Sequence, residues 1–109
     1  MPRISALHRR KKITYLRKMA LLSEQTLLSL DDLRLLAALA ETGTLAGAAR
    51  QVAVNHASAW RRLGALESRL GVRLFDRRRS GYVATPAGEE AIAGARCVLG
   101  ELGELERRL

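Results

Sequence analysis

Acidic residues are scarce in this chain: 11 Asp and Glu stand against 19 Lys and Arg in 109 residues, a formal net charge of +8. The imbalance favours a polyanionic partner, and charge alone fits a nucleic acid or an anionic membrane surface equally well. Cysteine is nearly absent. Cys97 stands alone, so no internal disulfide can form and a reducing compartment is the natural setting. Its expected role is that of a small, semi-buried apolar residue on a helix. With only two histidines, well apart in sequence, there is no material for a metal cluster. No nucleophile motif is present, and no glycine-rich phosphate loop follows a strand. The expectation is therefore not an enzyme, with no cofactor and no metal. No apolar run approaches the ~18 residues of a membrane span, which points to a cytoplasmic protein without a membrane partner. The length suits one small domain with one core.

What is present is organised around Thr44 to Leu70. Gly43 suits the left-handed end of a preceding helix, and Thr44 is a good N-cap for a new one running to about Val52. Ala48 and Ala49 are small enough to let another helix approach closely. Val52 and Val54 bracket a turn, and Asn55 caps the next helix. Along it Ala59, Leu63, Leu66 and Leu70 recur at four, three and four residues, an apolar stripe on one face. His56, Ala57, Trp60, Arg61 and Arg62 are left on or beside the opposite face. A short helix, a turn and a longer helix with a basic outer face have the form of a helix-turn-helix whose second helix enters the DNA major groove.

The flanking segments complete a winged version of that motif. Leu30 to Thr42 reads as a first helix, with Ser29 or Asp31 near its start and Asp31 and Asp32 favourably placed in its first turn. Leu33, Leu36, Ala37 and Ala40 form its expected inner stripe. Leu35 and Leu39 widen it, either as ordinary core or toward the C-terminal helix or a second subunit. Gly71 ends the recognition helix; Val72 to Asp76 reads as one strand, Arg77-Arg78-Arg79-Ser80-Gly81 as a turn, and Tyr82-Val83-Ala84 as the return strand. Leu74 and Phe75 are the expected anchors of this wing. From Arg50 to Tyr82 every basic residue is arginine, which can fork onto phosphate or guanine.

Thr85 followed by Pro86 starts a last helix, extending to the C-terminus. Ala91, Ala95, Val98, Leu102, Leu105 and Leu109 alternate steps of four and three, which is a coiled-coil seam and implies a homodimer. Packing of that seam against its own domain is the alternative.

The run from Ala40 to Arg78 resembles the N-terminal DNA-binding domain of LysR-type transcriptional regulators. The features that carry the resemblance are the paired Ala48 and Ala49, the valine before the recognition helix, Leu66-Glu67, the Leu-Gly-Val-Arg-Leu-Phe of Leu70 to Phe75, and the Thr-x-Ala-Gly of Thr85 to Gly88. The resemblance covers roughly Leu30 to Leu109. The family often has Ser-Gln-Pro where this chain has Asn55-His56-Ala57, and a small polar residue where it has Trp60, so a target sequence does not carry over.

The resemblance implies a mainly α fold, a winged helix-turn-helix with a three-helix core and a two-stranded wing, followed by a linker helix that pairs two subunits. Residues 1–28 then form a basic, flexible N-terminal extension, 29–85 the DNA-binding domain and 86–109 the dimerisation helix. Met19 is a second candidate start, and the basic extension also suits added phosphate contacts or an amphipathic transit-like segment. The expected function is a sequence-specific, dimeric transcriptional regulator on a palindromic double-stranded DNA site. Arg61 and Arg62 would hold phosphates, joined by the Thr44 and Ser58 hydroxyls and the Asn55 end of the recognition helix, and Arg77, Arg78 and Arg79 would reach phosphates or the minor groove beside the major-groove site. His56, Ala57 and Trp60 would face the groove, unless Trp60 turns inward to cap the core. Family members usually continue into an effector-binding domain, and this chain stops where that domain would begin. No small-molecule effector site is expected in it. The alternative is a truncated architectural or interfering DNA-binding protein that dimerises with full-length regulators.

Overall fold

Helix α1 (Leu30–Thr42) is the element against which the others pack, in a computed structural model that describes residues 27–109. The basic extension lies, apart from Leu27 and Leu28, outside the described residues. After α1 come α2 (Leu45–Gln51), α3 (His56–Leu70), strands β1 (Phe75–Arg78) and β2 (Gly81–Ala84), and α4 (Pro86–Arg108). The mainly helical winged helix-turn-helix is thus the observed fold.

Ser29 starts α1 with a reciprocal capping box. Its hydroxyl accepts from the Asp32 N–H at 3.1 Å, and the Asp32 carboxylate accepts from the Ser29 N–H at 2.9 Å. Gly43 ends the helix in the left-handed conformation. The buried stripe differs from the expected one: Leu35, Leu36, Ala38 and Leu39 are buried, whereas Leu33, Ala37 and Ala40 are only half-buried. The reason is that α1 is flanked by α2 and α3 on one side and by α4 on another, so its apolar arc is wider than a one-sided stripe. Leu35 and Leu39 are thus core residues.

Thr44 caps α2 by accepting from the Gly47 N–H at 3.0 Å, and Asn55 caps α3 by accepting from the Ser58 N–H at 2.7 Å. Between them Ala53 takes a φ of +59°, a conformation that costs a side-chain-bearing residue roughly 1 kcal/mol. It is held there by Ala53 N–H donating to the Arg50 carbonyl and Val54 N–H to the Ala49 carbonyl. Ala48 and Ala49 are buried, as a close helix crossing requires. Ala59, Leu63 and Leu66 of α3 are buried with Leu70 half-buried, the stripe that the spacing predicts.

The first strand lies two or three residues later than expected, at Phe75–Arg78 rather than Val72 to Asp76, whereas the return strand gains only Gly81 at its start. Phe75 pairs with Ala84, Asp76 with Val83, Arg77 with Tyr82 and Arg78 with Gly81, so only Arg79 and Ser80 form the connection. Arg77 and Arg78 are strand residues. Ahead of the ladder the Val72 N–H donates to the Glu67 carbonyl and the Leu74 N–H to the Glu67 carboxylate, and the paired register begins at Phe75. Leu74 and Phe75 are buried, as anchors should be.

Thr85 joins α4 to the wing. Its hydroxyl accepts from the Gly88 N–H at 3.0 Å and donates to the Arg73 carbonyl at 2.6 Å, while its N–H donates to the Leu74 carbonyl at 3.0 Å. Gly88 lies so close to the Leu74 carbonyl that a side chain there would overlap it. Ile92 and Ala95 then enter the same core as Leu35 and Leu66. This corrects the expected seam: Ala95 is fully buried within its own domain and Ala91 packs partly against it. The core also runs across the expected boundary between residues 85 and 86. Beyond it Val98, Leu105 and Leu109 are exposed, with Leu102 half-buried.

Candidate nucleic-acid interface

Two hydrogen-bonded ties, one through a side chain and one through the backbone, put the wing and the recognition helix in one frame. Glu67, on α3, accepts with one carboxylate oxygen from the Leu74 N–H at 2.8 Å and the Phe75 N–H at 3.2 Å, fastening the start of β1 to the helix. On the other strand the Tyr82 N–H donates to the Gly43 carbonyl at 2.9 Å, fastening β2 to the turn that begins α2. Gly81 (φ +128°) makes that approach possible, since a side chain on it would collide with the Gly43 carbonyl. The wing, the Thr44 end of α2 and α3 are therefore positioned together.

The outer surface of α3 is open. Asn55, His56, Ala57, Trp60, Arg61 and Arg62 are all exposed, and Ser58 is half-buried. Trp60 is 58% exposed, so it does not turn inward to cap the core. Arg61 falls opposite the Ala59–Leu63–Leu66 stripe, and its guanidinium donates to the Ser58 hydroxyl at 3.2 Å. Asn55 spends its side-chain oxygen on the cap, leaving its amide N–H groups free to donate outward. Arg62 departs from the others. It borders an open groove of about 480 Å³ together with Arg34 and Glu41 of α1 and Gln51 of α2, on the flank away from Trp60.

Arg77, Arg78 and Arg79 are exposed on the wing, and Thr44 is exposed at the start of α2. Asp76 lies 3.9 Å from Arg78 and 4.0 Å from Arg73, loose contacts between groups that are all well exposed to water. Such pairs contribute little and leave the guanidinium groups available. Arg69 is different, and it does not belong to this surface. Its guanidinium is bound to the Asp32 carboxylate at 2.9 Å and to the Leu27 carbonyl at 3.2 Å, so it serves the protein's own packing.

The remaining arginines lie exposed on the outer face of α3 and on the hairpin fastened to it, and no histidine, cysteine or carboxylate cluster fit for a metal occurs among the described residues. The model of the bacterial regulatory helix-turn-helix proteins of the lysR family matches residues 30–89. The chain belongs to the LysR family. It is 42% identical over 72 residues to the HTH-type transcriptional regulator TfdS of Cupriavidus pinatubonensis, a match covering 66% of this chain and 24% of that regulator. To the HTH-type transcriptional regulator Rv2282c of Mycobacterium tuberculosis it is 45% identical over 51 residues, 47% of this chain and 16% of that protein. The matches thus span about a quarter or less of these relatives' length.

Among solved structures, the DNA complex of the CbnR DNA-binding domain superposes with a TM-score of 0.67 at 33% identity, covering 74% of this chain and 93% of that one. The corresponding BenM domain on catB site 1 DNA gives a TM-score of 0.70 at 23% identity, over 74% and 91%, a likeness of fold. These LysR relatives are transcriptional regulators rather than enzymes. Among the described residues no helix is long and apolar enough to cross a membrane.

Sequence reasoning missed three contributors: Glu67 as the wing's fastening, the Gly43–Gly81 contact, and the removal of Arg69 from the cationic surface. Glu67 and Gly88 were visible only as letters of a family motif. Their physical reasons, a carboxylate shared by two N–H groups and a contact with no room for Cβ, are tertiary.

Proposed function

We propose that this LysR-family chain binds double-stranded DNA sequence-specifically and regulates transcription, acting in the cytoplasm as a homodimer on a palindromic site. The observation that carries the reading is the shared exposure of the outer face of α3 and of Arg77, Arg78 and Arg79 on a wing fastened to it. In this reading α3 lies in the major groove, with His56, Ala57 and Trp60 toward base edges. Arg61 and the wing arginines hold phosphates to either side, and Thr44 and Asn55 add neutral donors where two helices begin. Arg62 contributes from the flank of the groove.

The exposed stripe of Val98, Leu102, Leu105 and Leu109 supports pairing of two copies through the distal part of α4. Half-sites about one helical turn apart, or a multiple of it, follow from two-fold symmetry. A fluorescence anisotropy titration over a range of salt concentrations tests the reading. The affinity is expected to fall steeply with salt, and each of Arg61→Ala, Arg77→Ala and Arg79→Ala should flatten the slope by about one. Equal weak affinity for all sequences, with slopes unmoved by these changes, would reject it.

A further inference from the structure

Trp60 and Gly64 are neighbours on the recognition helix that nothing among the described residues explains. Trp60 leaves 58% of a large apolar side chain in water, where the core leucines of the same helix are buried. Gly64, one turn further on, is an exposed residue in the middle of α3. Glycine weakens a helix interior relative to alanine, and one use it has there is to let another group come close to the backbone. Yet a Cβ built on Gly64 meets nothing within 4 Å. No part of the described chain makes that approach.

Ala57, Trp60 and Gly64 are spaced three and four residues apart, so they form one strip along the helix. It is an apolar strip with a wall at Trp60 and a step down at Gly64, beside the cationic Arg61. We propose that this notch reads the C5-methyl group of a thymine in the major groove, with the Trp60 ring covering the methyl and Gly64 making room for the base edge. Among the four bases only thymine offers an apolar group at that edge. The arginines beside the notch and on the wing supply the charge complement of a duplex, and a bare hydrocarbon surface between them suits the one hydrocarbon feature that a duplex displays there. The inference rests on the DNA-binding reading and adds to it which base is read, and by which residues.

The test begins by selecting the preferred duplex from a random pool with the 109-residue chain, then replacing its thymines one at a time by deoxyuridine, which lacks only the methyl. At one thymine in each half-site, affinity is expected to fall about three- to fivefold, the effect of one methyl group transferred out of water. Trp60→Ala should bind the thymine and uracil duplexes equally at that position, with an unchanged salt slope. Because Trp60 is exposed, this variant keeps the fold. Gly64→Ala, which strengthens the helix, should weaken binding to the thymine duplex more than to the uracil duplex. A wild-type preference for its selected site with no effect of deoxyuridine at any position overturns the inference and leaves the DNA-binding reading standing. So does a thymine-to-uracil difference that survives in Trp60→Ala. Failure to select any duplex sinks the DNA-binding reading itself.

Discussion

The guanidinium of Arg69 and the carboxylate of Asp32 meet at 2.9 Å, joining the last turn of the recognition helix to the first turn of α1. Asp32 is the buried polar residue of the described core region and already closes the capping box with Ser29. One carboxylate thus starts a helix and fixes the end of another. That arrangement separates the arginines of α3 by function, although in sequence they are alike.

Replacing Arg69 by Ala should therefore destabilise the fold without altering the charge presented to DNA. Asp32 would keep its partner in Ser29, so the loss is expected at about 1–2 kcal/mol, a charge-assisted hydrogen bond rather than a whole cap. Thermal or urea unfolding measures it. The salt slope of DNA binding should match the wild type, in contrast to Arg61→Ala, and a slope reduced by one would return Arg69 to the interface.

Glu67 gives a prediction whose sign opposes simple electrostatics. Removing a negative charge beside a cationic surface should tighten binding to a polyanion. If the carboxylate instead acts by holding Leu74 and Phe75, then Glu67→Ala should weaken binding about tenfold and lower the salt slope, because the wing arginines lose their fixed position. Glu67→Gln retains an oxygen acceptor and should recover most of the affinity. Anisotropy titrations of the two variants at several salt concentrations decide between the explanations, with tighter binding by Glu67→Ala refuting the positioning role.

The helix limits and their caps were readable in the chain because they are local. Ser29, Thr44, Asn55 and Thr85 each bond to a backbone N–H three residues on, and Gly43 and Gly71 each end a helix in the left-handed conformation. The apolar spacing of α3 was equally plain, since that helix buries a single face. Reading failed where a residue answers to elements distant in sequence. Leu35 and Leu39 exceed what a three-helix core requires, and their spacing left ordinary core, the C-terminal helix and a second subunit all open, because which of these covers them depends on how α4 packs on α1. Ala95 fitted a heptad seam and also faced its own core, and periodicity alone cannot say which surface fills first. The first strand was expected too early because alternation from Val72 onward carries no sign of the bonds that Val72, Leu74 and Phe75 make to Glu67 of α3. Of the interface, the exposed face of α3 was legible from its polarity, whereas the withdrawal of Arg69 depends on a partner 37 positions away.

Gly88 and Gly100, both on α4, should respond to alanine in opposite directions. At Gly88 the new Cβ would overlap the Leu74 carbonyl, which is backbone and cannot swing aside, so α4 must lift from the wing and loosen Ile92. A loss of about 2–3 kcal/mol is expected, at the level of overpacked cores. At Gly100 a Cβ meets nothing within 4 Å, and alanine should add roughly 0.5–1 kcal/mol through better helix propensity. Denaturant unfolding of both variants checks the pair, and an unharmed Gly88→Ala would show that α4 is not held against the wing as closely as the Thr85 bonds imply.

The exposed end of α4 offers the most direct test of the homodimer. Ala95 is occupied by the core, so only the stripe beyond it is free for a second copy, and the substitutions should be confined there. Leu102→Lys together with Leu105→Lys leaves the buried core intact and adds positive charge, which by itself favours DNA. If two copies pair through this stripe, the variant should sediment as a monomer at concentrations where the wild type is a dimer. Its affinity for a two-half-site duplex should fall by about a hundredfold as the second half-site ceases to be an intramolecular partner, while affinity for an isolated half-site is unchanged or slightly raised. Sedimentation velocity and anisotropy with the two duplexes separate the cases. A wild-type chain that sediments as a monomer, or a variant that stays dimeric, would remove this stripe as the contact between copies.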